Sequence, residues 1–319
     1  MKFIFNNKEY PSIDGIKKAY YNGQGPVPPG PDYTEPFYVE NINSGIETLN
    51  IKKSGSFAPT LTIEYSTDRV NWNTLGTTST TDLTYTLNPG DKVYLRCDTT
   101  SWGYRSGSSH SNHISGVSKV GGNIMSLLYG GGFTGDENIF RNTSNQAFYG
   151  IFEANSTLKD AQYLLLPATT LIFGCYREMF HNCTSLTTIP ILPTTTLADY
   201  CYAGMFRACT SLTTTPTLPA TILASGCYSD MFSGCTLLTN APDLLATTLV
   251  DYCYYEMFSG CTNLEYIKCL ATDISASNCT YNWMRRVRNV SSSTFVKKAG
   301  VTWPSGASGI PSGWTVVEV

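Results

Sequence analysis

Apolar positions between residues 147 and 284 recur with a fixed period. The chain reads CYREMFHNCTSLTTIPILPTTTLADY from Cys175, CYAGMFRACTSLTTTPTLPATILASG from Cys201, CYSDMFSGCTLLTNAPDLLATTLVDY from Cys227 and CYYEMFSGCTNLEYIKCLATDISASN from Cys253. The leading cysteines, Cys175, Cys201, Cys227, Cys253 and Cys279, set the period at 26 residues. A period of this size predicts units that stack and bury a continuous core. Within each unit the columns of Cys175, Met179, Phe180, Cys183 and Leu186 hold from copy to copy. Other columns drift: Arg177, Ala203, Ser229 and Tyr255; His181, Arg207, Ser233 and Ser259; Ile191, Thr217, Asp243 and Cys269. Held apolar columns meet one environment in every unit, which is the core. Drifting polar columns are tolerated where water or a partner lies.

Offsets 0, 4, 5 and 8 within CYREMFHNC match helical spacing and predict two turns of helix with one buried face. The following LTTIPIL favours an extended chain. Pro190, Pro216 and Pro242 interrupt it and predict irregular strands, because proline lacks a ladder donor. A worn copy, AFYGIFEAN, precedes the clear ones, with Ala147, Ile151, Phe152 and Asn155 in the core columns. At the far end Trp283 falls in the Met column, and residues 285–319 read as a C-terminal cap.

Residues 37–128 alternate with period two and predict a small β-sandwich. Leu61, Ile63 and Tyr65 share one face, as do Leu83, Tyr85 and Leu87, and Val93, Leu95 and Cys97 after a Pro-Gly-Asp turn. Trp72 is the expected core anchor. Residues 1–23 form a short apolar-alternating piece that reads as an anchoring segment. Residues 24–36, rich in Pro and Gly, read as a stiff linker, and residues 129–146 as a Gly-rich entry to the repeats. The expected fold class is therefore multidomain: an N-terminal all-β part, small anchor plus sandwich, followed by an α/β leucine-rich-repeat solenoid over 147–284.

The units FHNCTSL, FRACTSL, FSGCTLL and FSGCTNL, each followed by an extended segment, resemble the BspA-like leucine-rich-repeat family. The β-region's EYSTD-x-x-x-W followed by such repeats resembles products of gut Bacteroidales and their bacteriophages. The resemblance implies a non-enzymatic adhesion protein. In a phage it would be a head or tail fibre or spike, with a homo-oligomer such as a trimer as one option, assembled in the host cytoplasm. Residues 1–23 would join a capsid or tail protein, and the repeats would meet a host-surface glycan or protein. A bacterial cell-surface adhesin is the alternative. The start, MKFIFNNKEY, does not read as a signal peptide, which favours the virion.

Composition narrows the rest. Net charge is −3 among 319 residues, so no basic face recommends nucleic acid. No apolar run is long enough to insert in a membrane. Ten of the eleven cysteines lie in the repeats. Their spacing suits neither a zinc site nor the disulfide framework of a small secreted domain, and the expectation is buried reduced thiols. Of the three histidines, His110 and His113 form an H-S-N-H without further ligands, and His181 reads as a solvated residue. No nucleophile, base and orienter come together, and no phosphate loop appears. No catalytic, metal or cofactor residue is expected. The candidate ligand-surface residues are Arg177, His181, Arg207, Thr217, Asp243 and Tyr255.

Overall fold

The structure is a computed structural model that describes residues 3–5, 8–10, 32–54, 58–79, 82–106, 108–141, 146–288 and 292–319. Of the expected anchor and linker, residues 1, 2, 6, 7 and 11–31 lie outside the described ones. Strands β1 (Phe3–Phe5) and β2 (Lys8–Tyr10) pair as an antiparallel two-stranded sheet.

The next part of the chain forms two sheets. β3 (Tyr38–Glu40), β5 (Thr62–Ser66), β6 (Asn73–Thr77), β8 (Lys92–Arg96), β11 (Lys119–Asn123) and β12 (Asp160–Leu165) make a six-stranded sheet in the order β12-β11-β3-β8-β5-β6. β4 (Glu47–Ser54), β7 (Leu83–Leu87), β9 (Gly103–Ser106) and β10 (Ser108–Ser115) make a four-stranded sheet in the order β7-β4-β10-β9. Period-two alternation sends one set of side chains inward. Phe37, Val39, Leu49, Ile51, Ile63, Leu87, Val93, Leu95 and Ile114 are all buried in one shared cluster. The turn before β8 closes as expected, with the Asp91 N–H on the Asn88 carbonyl at 3.0 Å. Trp72 does not anchor this core. It stays half-buried beneath the Arg96 guanidinium, while Trp102 is fully buried and donates its indole N–H to the Leu127 carbonyl at 3.0 Å. A one-turn helix, α1 (Ser126–Tyr129), runs into a 3₁₀ turn at Gly130–Gly132.

The α/β leucine-rich-repeat solenoid expected over 147–284 is overturned. The protein is nearly all β, 26% strand against 3% helix, arranged as several small sheets. Where helix was expected, the backbone makes tandem turns. Odd-numbered N–H groups bond back three residues: Arg177 to Gly174 at 3.1 Å, Met179 to Tyr176 at 3.3 Å and His181 to Glu178 at 3.0 Å. Even-numbered N–H groups leave the unit: Tyr176 donates to Cys201 at 3.0 Å, Glu178 to Ala203 at 2.8 Å and Phe180 to Met205 at 2.9 Å. Every fourth residue is left-handed, with φ of 57° at Gly174, 54° at Glu178 and 59° at Asn182. A left-handed residue breaks an α-helix. The repeating four-residue turn still places Cys175, Met179 and Cys183 in one inward column and Tyr176 and Phe180 in another, and all five are fully buried.

The units stack through these columns. Ring centroids of Phe152, Phe180, Phe206, Phe232 and Phe258 follow one another at 5.3, 5.5, 5.8 and 5.8 Å, nearly parallel. A second column runs Phe148, Tyr176, Tyr202, Tyr228, Tyr254 and Trp283 at 6.1, 5.8, 6.0, 6.2 and 6.2 Å. All eleven cysteines are free and buried. Burial pushes the Cys175 and Cys235 thiols up to about 12, so they stay protonated. The Cys183, Cys209, Cys235 and Cys261 thiols donate to phenylalanine carbonyls of the preceding unit at 3.0 to 3.1 Å.

Between units, the extended segments meet mostly through isolated bridges such as Thr196 with Ile222 and Thr248 with Asp273. Pro190, Pro216 and Pro242 occupy one column, and the next residue in it is Lys268. With a donor restored there, β13 (Tyr266–Cys269) forms and pairs in parallel with β14 (Thr294–Lys297), which pairs with β15 (Thr315–Glu318). At the other end the first unit is built onto the sheets. The Trp102 and Ile114 N–H groups donate to Ala147 and Ile151 at 2.7 Å each, Phe37 stacks on Phe152 at 5.9 Å, and β11 pairs in parallel with β12. Among the described residues no helix is long and apolar enough to cross a membrane.

Candidate functional site

The tandem turns give each unit an outer face, and two of the three drifting columns lie on the turns. Drift does not mark exposure throughout, however: Ala203, Ser229, Ser259 and Cys269 are buried. Arg177 and Tyr255 share one column, and His181 and Arg207 another. Thr217 and Asp243 are exposed on the extended segments instead, where Asp243 accepts from Lys268 Nζ at 2.6 Å. Four of the six expected surface residues thus fall on the turns and two do not.

On the turn face the side chains interlock. The Arg177 guanidinium lies 5.5 Å from the Tyr200 ring centroid, with its Nε 3.5 Å from Glu178 Oε1. Tyr149 donates its hydroxyl to Glu178 Oε2 at 2.7 Å, which keeps this buried carboxylate hydrogen-bonded. His181 is not simply solvated: its Nδ1 sits 3.1 Å from Glu153 Oε1. The ligand atoms of Glu153, Glu178 and His181 lie within 4.8 Å of one another, but Tyr149 and the His181–Glu153 pair already engage them. Further along, burial raises the Asp230 carboxyl pKa, opposed by the Ser229 hydroxyl and by Arg207. Tyr255 stacks on Tyr281 at 5.2 Å and tilts against Tyr252 at 5.8 Å. His113, on β10, holds its Nδ1 2.9 Å from the Gly150 carbonyl, and burial lowers its pKa.

The backbone sets some of these residues apart. In the left-handed column of Gly174 stand Tyr200, Gly226, Tyr252 and Asn278; in that of Glu178 stand Gly204, Asp230, Glu256 and Asn282. Glycine adopts this conformation without penalty, whereas a residue with a Cβ costs about 1–2 kcal/mol. Tyr200 (φ 55°), Tyr252 (φ 57°), Glu178 (φ 54°), Asp230 (φ 55°) and Glu256 (φ 48°) accept that cost where sister units carry glycine. Strain of this kind concentrates where a side chain has a task. Sequence reasoning missed these five residues. The signal was glycine, asparagine or aspartate recurring every fourth position, as in Gly226, Asp230 and Gly234.

Comparison with protein-family models, with curated proteins and with solved structures gives no match.

Proposed function

We propose that this chain is a non-enzymatic adhesion protein that offers its turn face to a surface glycan or protein. The observation that carries the reading is the placement of Tyr200, Tyr252, Asp230 and Glu256 at left-handed positions that glycine adopts more easily; Glu178, buried and bonded to Tyr149, has a structural role instead. Stability alone favours glycine there, so ligand contact supplies a reason for the side chains. Tyrosine rings bring large contact area with few torsions to freeze, and the carboxylates bring hydrogen-bond acceptors. The resemblance of the repeats to BspA-like units supports adhesion. The particle we propose for it is a bacteriophage head or tail fibre or spike, joined through residues 1–23, on the resemblance of the β-region followed by repeats to such products.

The deciding experiment compares labelled whole chain with Glu256→Gly and Tyr255→Ser for attachment to intact bacterial cells. Both variants should fold, and Glu256→Gly should melt no lower than the parent. Attachment should fall at least tenfold in each. Unchanged attachment in both would remove the turn face as the binding surface. Recovery of the chain from purified phage particles supports the virion reading, and recovery only from bacterial envelopes replaces it with a cellular adhesin.

A further inference from the structure

A separate cleft opens in the sheet region, away from the turn face. Its volume is about 380 Å³, and Thr34, Arg69, Trp72, Arg96, Ser126 and Phe133 line it. Two guanidinium groups therefore face one space.

The loop between β5 and β6 is locked in the form that delivers them. Asp68 Oδ1 accepts from the backbone N–H of Val70 at 2.9 Å and of Asn71 at 2.8 Å, and from the Ser66 hydroxyl at 2.9 Å. Its Oδ2 accepts from Asn71 Nδ2 at 2.7 Å. This turn holds Arg69 at a φ of 67°, left-handed and unfavourable for arginine. The Trp72 indole N–H donates to the Arg69 carbonyl at 3.2 Å, so the two cleft residues are fixed relative to each other.

Each guanidinium is only partly engaged. Arg69 forms a loose ion pair with Asp32 Oδ2 at 3.6 Å, too long for a hydrogen bond, and lies 5.7 Å from the Tyr94 ring centroid, while Asp32 Oδ1 is taken by the Thr34 N–H at 3.0 Å and hydroxyl at 2.6 Å. Arg69 makes no side-chain hydrogen bond among the described residues. Arg96 gives its Nε to Glu64 at 2.7 Å and lies 4.1 Å over the Trp72 ring. Its two terminal amino groups carry no partner among the described residues. A Cβ at Gly131 would stand 3.9 Å from the Arg96 Cζ, in ordinary contact, so a larger side chain at this position would lie against the guanidinium.

Planar forks of donors match planar two-oxygen acceptors, and a carboxylate meets them better than a spherical anion does. A pocket of a few hundred Å³ with polar lining and one aromatic wall fits a compact hydrated molecule with an apolar face. We propose that this cleft binds an acidic monosaccharide of the uronic or sialic acid class, its carboxylate held between Arg69 and Arg96 and its ring against Trp72. The site is independent of the turn face, so either can fail alone.

Titration calorimetry on the whole chain tests it, with glucuronate, N-acetylneuraminate, glucose, acetate and inorganic phosphate as probes. At least one acidic sugar should bind saturably and tenfold or more tighter than glucose, acetate or phosphate. Raising sodium chloride should weaken that binding. Arg69→Gln should reduce it at least tenfold with an unchanged melting temperature. Arg96→Gln also strips Glu64 of its partner, so Arg69→Gln and the obstructing Gly131→Leu are the deciding variants. No saturable heat from either acidic sugar overturns the proposal. So does equal affinity for glucose, acetate or phosphate, or undiminished binding by Arg69→Gln.

Discussion

The sheet region and the turn stack bury their cores by different rules. In the sheets each strand alternates, and every buried position is its own problem: Trp102, Phe37 and Ile51 have different neighbours and different shapes to fill. In the stack one solution is copied, with a phenylalanine above a phenylalanine and a thiol above a thiol. The sheets spread their hydrogen bonds along continuous strands, antiparallel except for β11 with β12. The stack divides them by parity, odd residues bonding inside the unit and even residues to the next one. Sheet side chains tolerate local exceptions, such as the half-exposed Trp72. The copied columns do not, because each ring is part of the environment of two others.

The largest test of this contrast is Phe206→Ala against Trp72→Ala. Phe206 lies between Phe180 at 5.5 Å and Phe232 at 5.8 Å and is fully buried. Its truncation should cost about 3–5 kcal/mol in a denaturant series. Trp72→Ala should cost about 1 kcal/mol or less, as for a rim residue. Equal losses would erase the distinction.

The next test reads the backbone by sign. At Gly226 (φ 57°) a Cβ would meet the Tyr200 ring at 2.4 Å. Gly226→Ala should therefore destabilise by about 2 kcal/mol or more. Ala208, at φ 58°, should gain about 1 kcal/mol on change to Gly. A helix at this position would give the opposite result, since Gly in a helix costs about 1 kcal/mol relative to Ala. Thermal melts of the two variants decide the matter.

The junction of the two regions should respond to acid. Burial between β10 and the first repeat unit depresses the His113 pKa below 6.5, with Glu153 and the Gly150 carbonyl opposing the shift. The folded state then binds fewer protons than the unfolded chain. Stability is unaffected above pH 6.5 and falls as pH drops below it towards the folded pKa. His113→Gln should flatten that part of the stability–pH curve, and an unchanged slope would assign the loss to other groups.

The smallest effects are expected on the exposed side of the repeats and at the thiols. Asp243→Lys loses an exposed pair with Lys268 and should shift stability by no more than about 1 kcal/mol. Reductant should leave the melting temperature unchanged, and the thiols should resist alkylation until the chain is unfolded. A marked fall with reductant would reveal crosslinks.

Much of the stack was legible from residues alone. The period and the buried columns of Cys175, Met179, Phe180 and Leu186 followed from comparing copies, whereas drift was a poor guide to exposure, since Ala203 and Ser229 in the column of Arg177 are buried. Helix did not follow, although offsets of 0, 4 and 8 suggested it. A 3.6-residue helix and a four-residue turn put the same positions inward over so short a span. Only the left-handed residues separate them, and glutamate, tyrosine or alanine at such a position leaves no mark in the sequence. The strand at Tyr266–Cys269 was implicit in Lys268 replacing a proline. The cleft was not legible at all: Thr34, Arg69, Arg96 and Phe133 come from four separate stretches of chain, and only the sheet order brings them together.

The parity of the hydrogen bonds also gives the stack a direction. Among the described residues, every inter-unit backbone bond over the turns points the same way, from an N–H towards the following unit, as from Tyr176 to Cys201, Tyr202 to Cys227 and Tyr228 to Cys253. Peptide dipoles aligned head to tail add, as they do along a helix axis. The end nearest the C-terminus is therefore the electropositive pole, and there Asn282 and Met284 donate their N–H groups to Ser308 and Ala307. The opposite pole presents the carbonyls of Ala147 and Ile151, which the N–H groups of Trp102 and Ile114 neutralise. The stack is thus a polarised rod whose two ends are chemically unlike, with the sheets seated on its negative end.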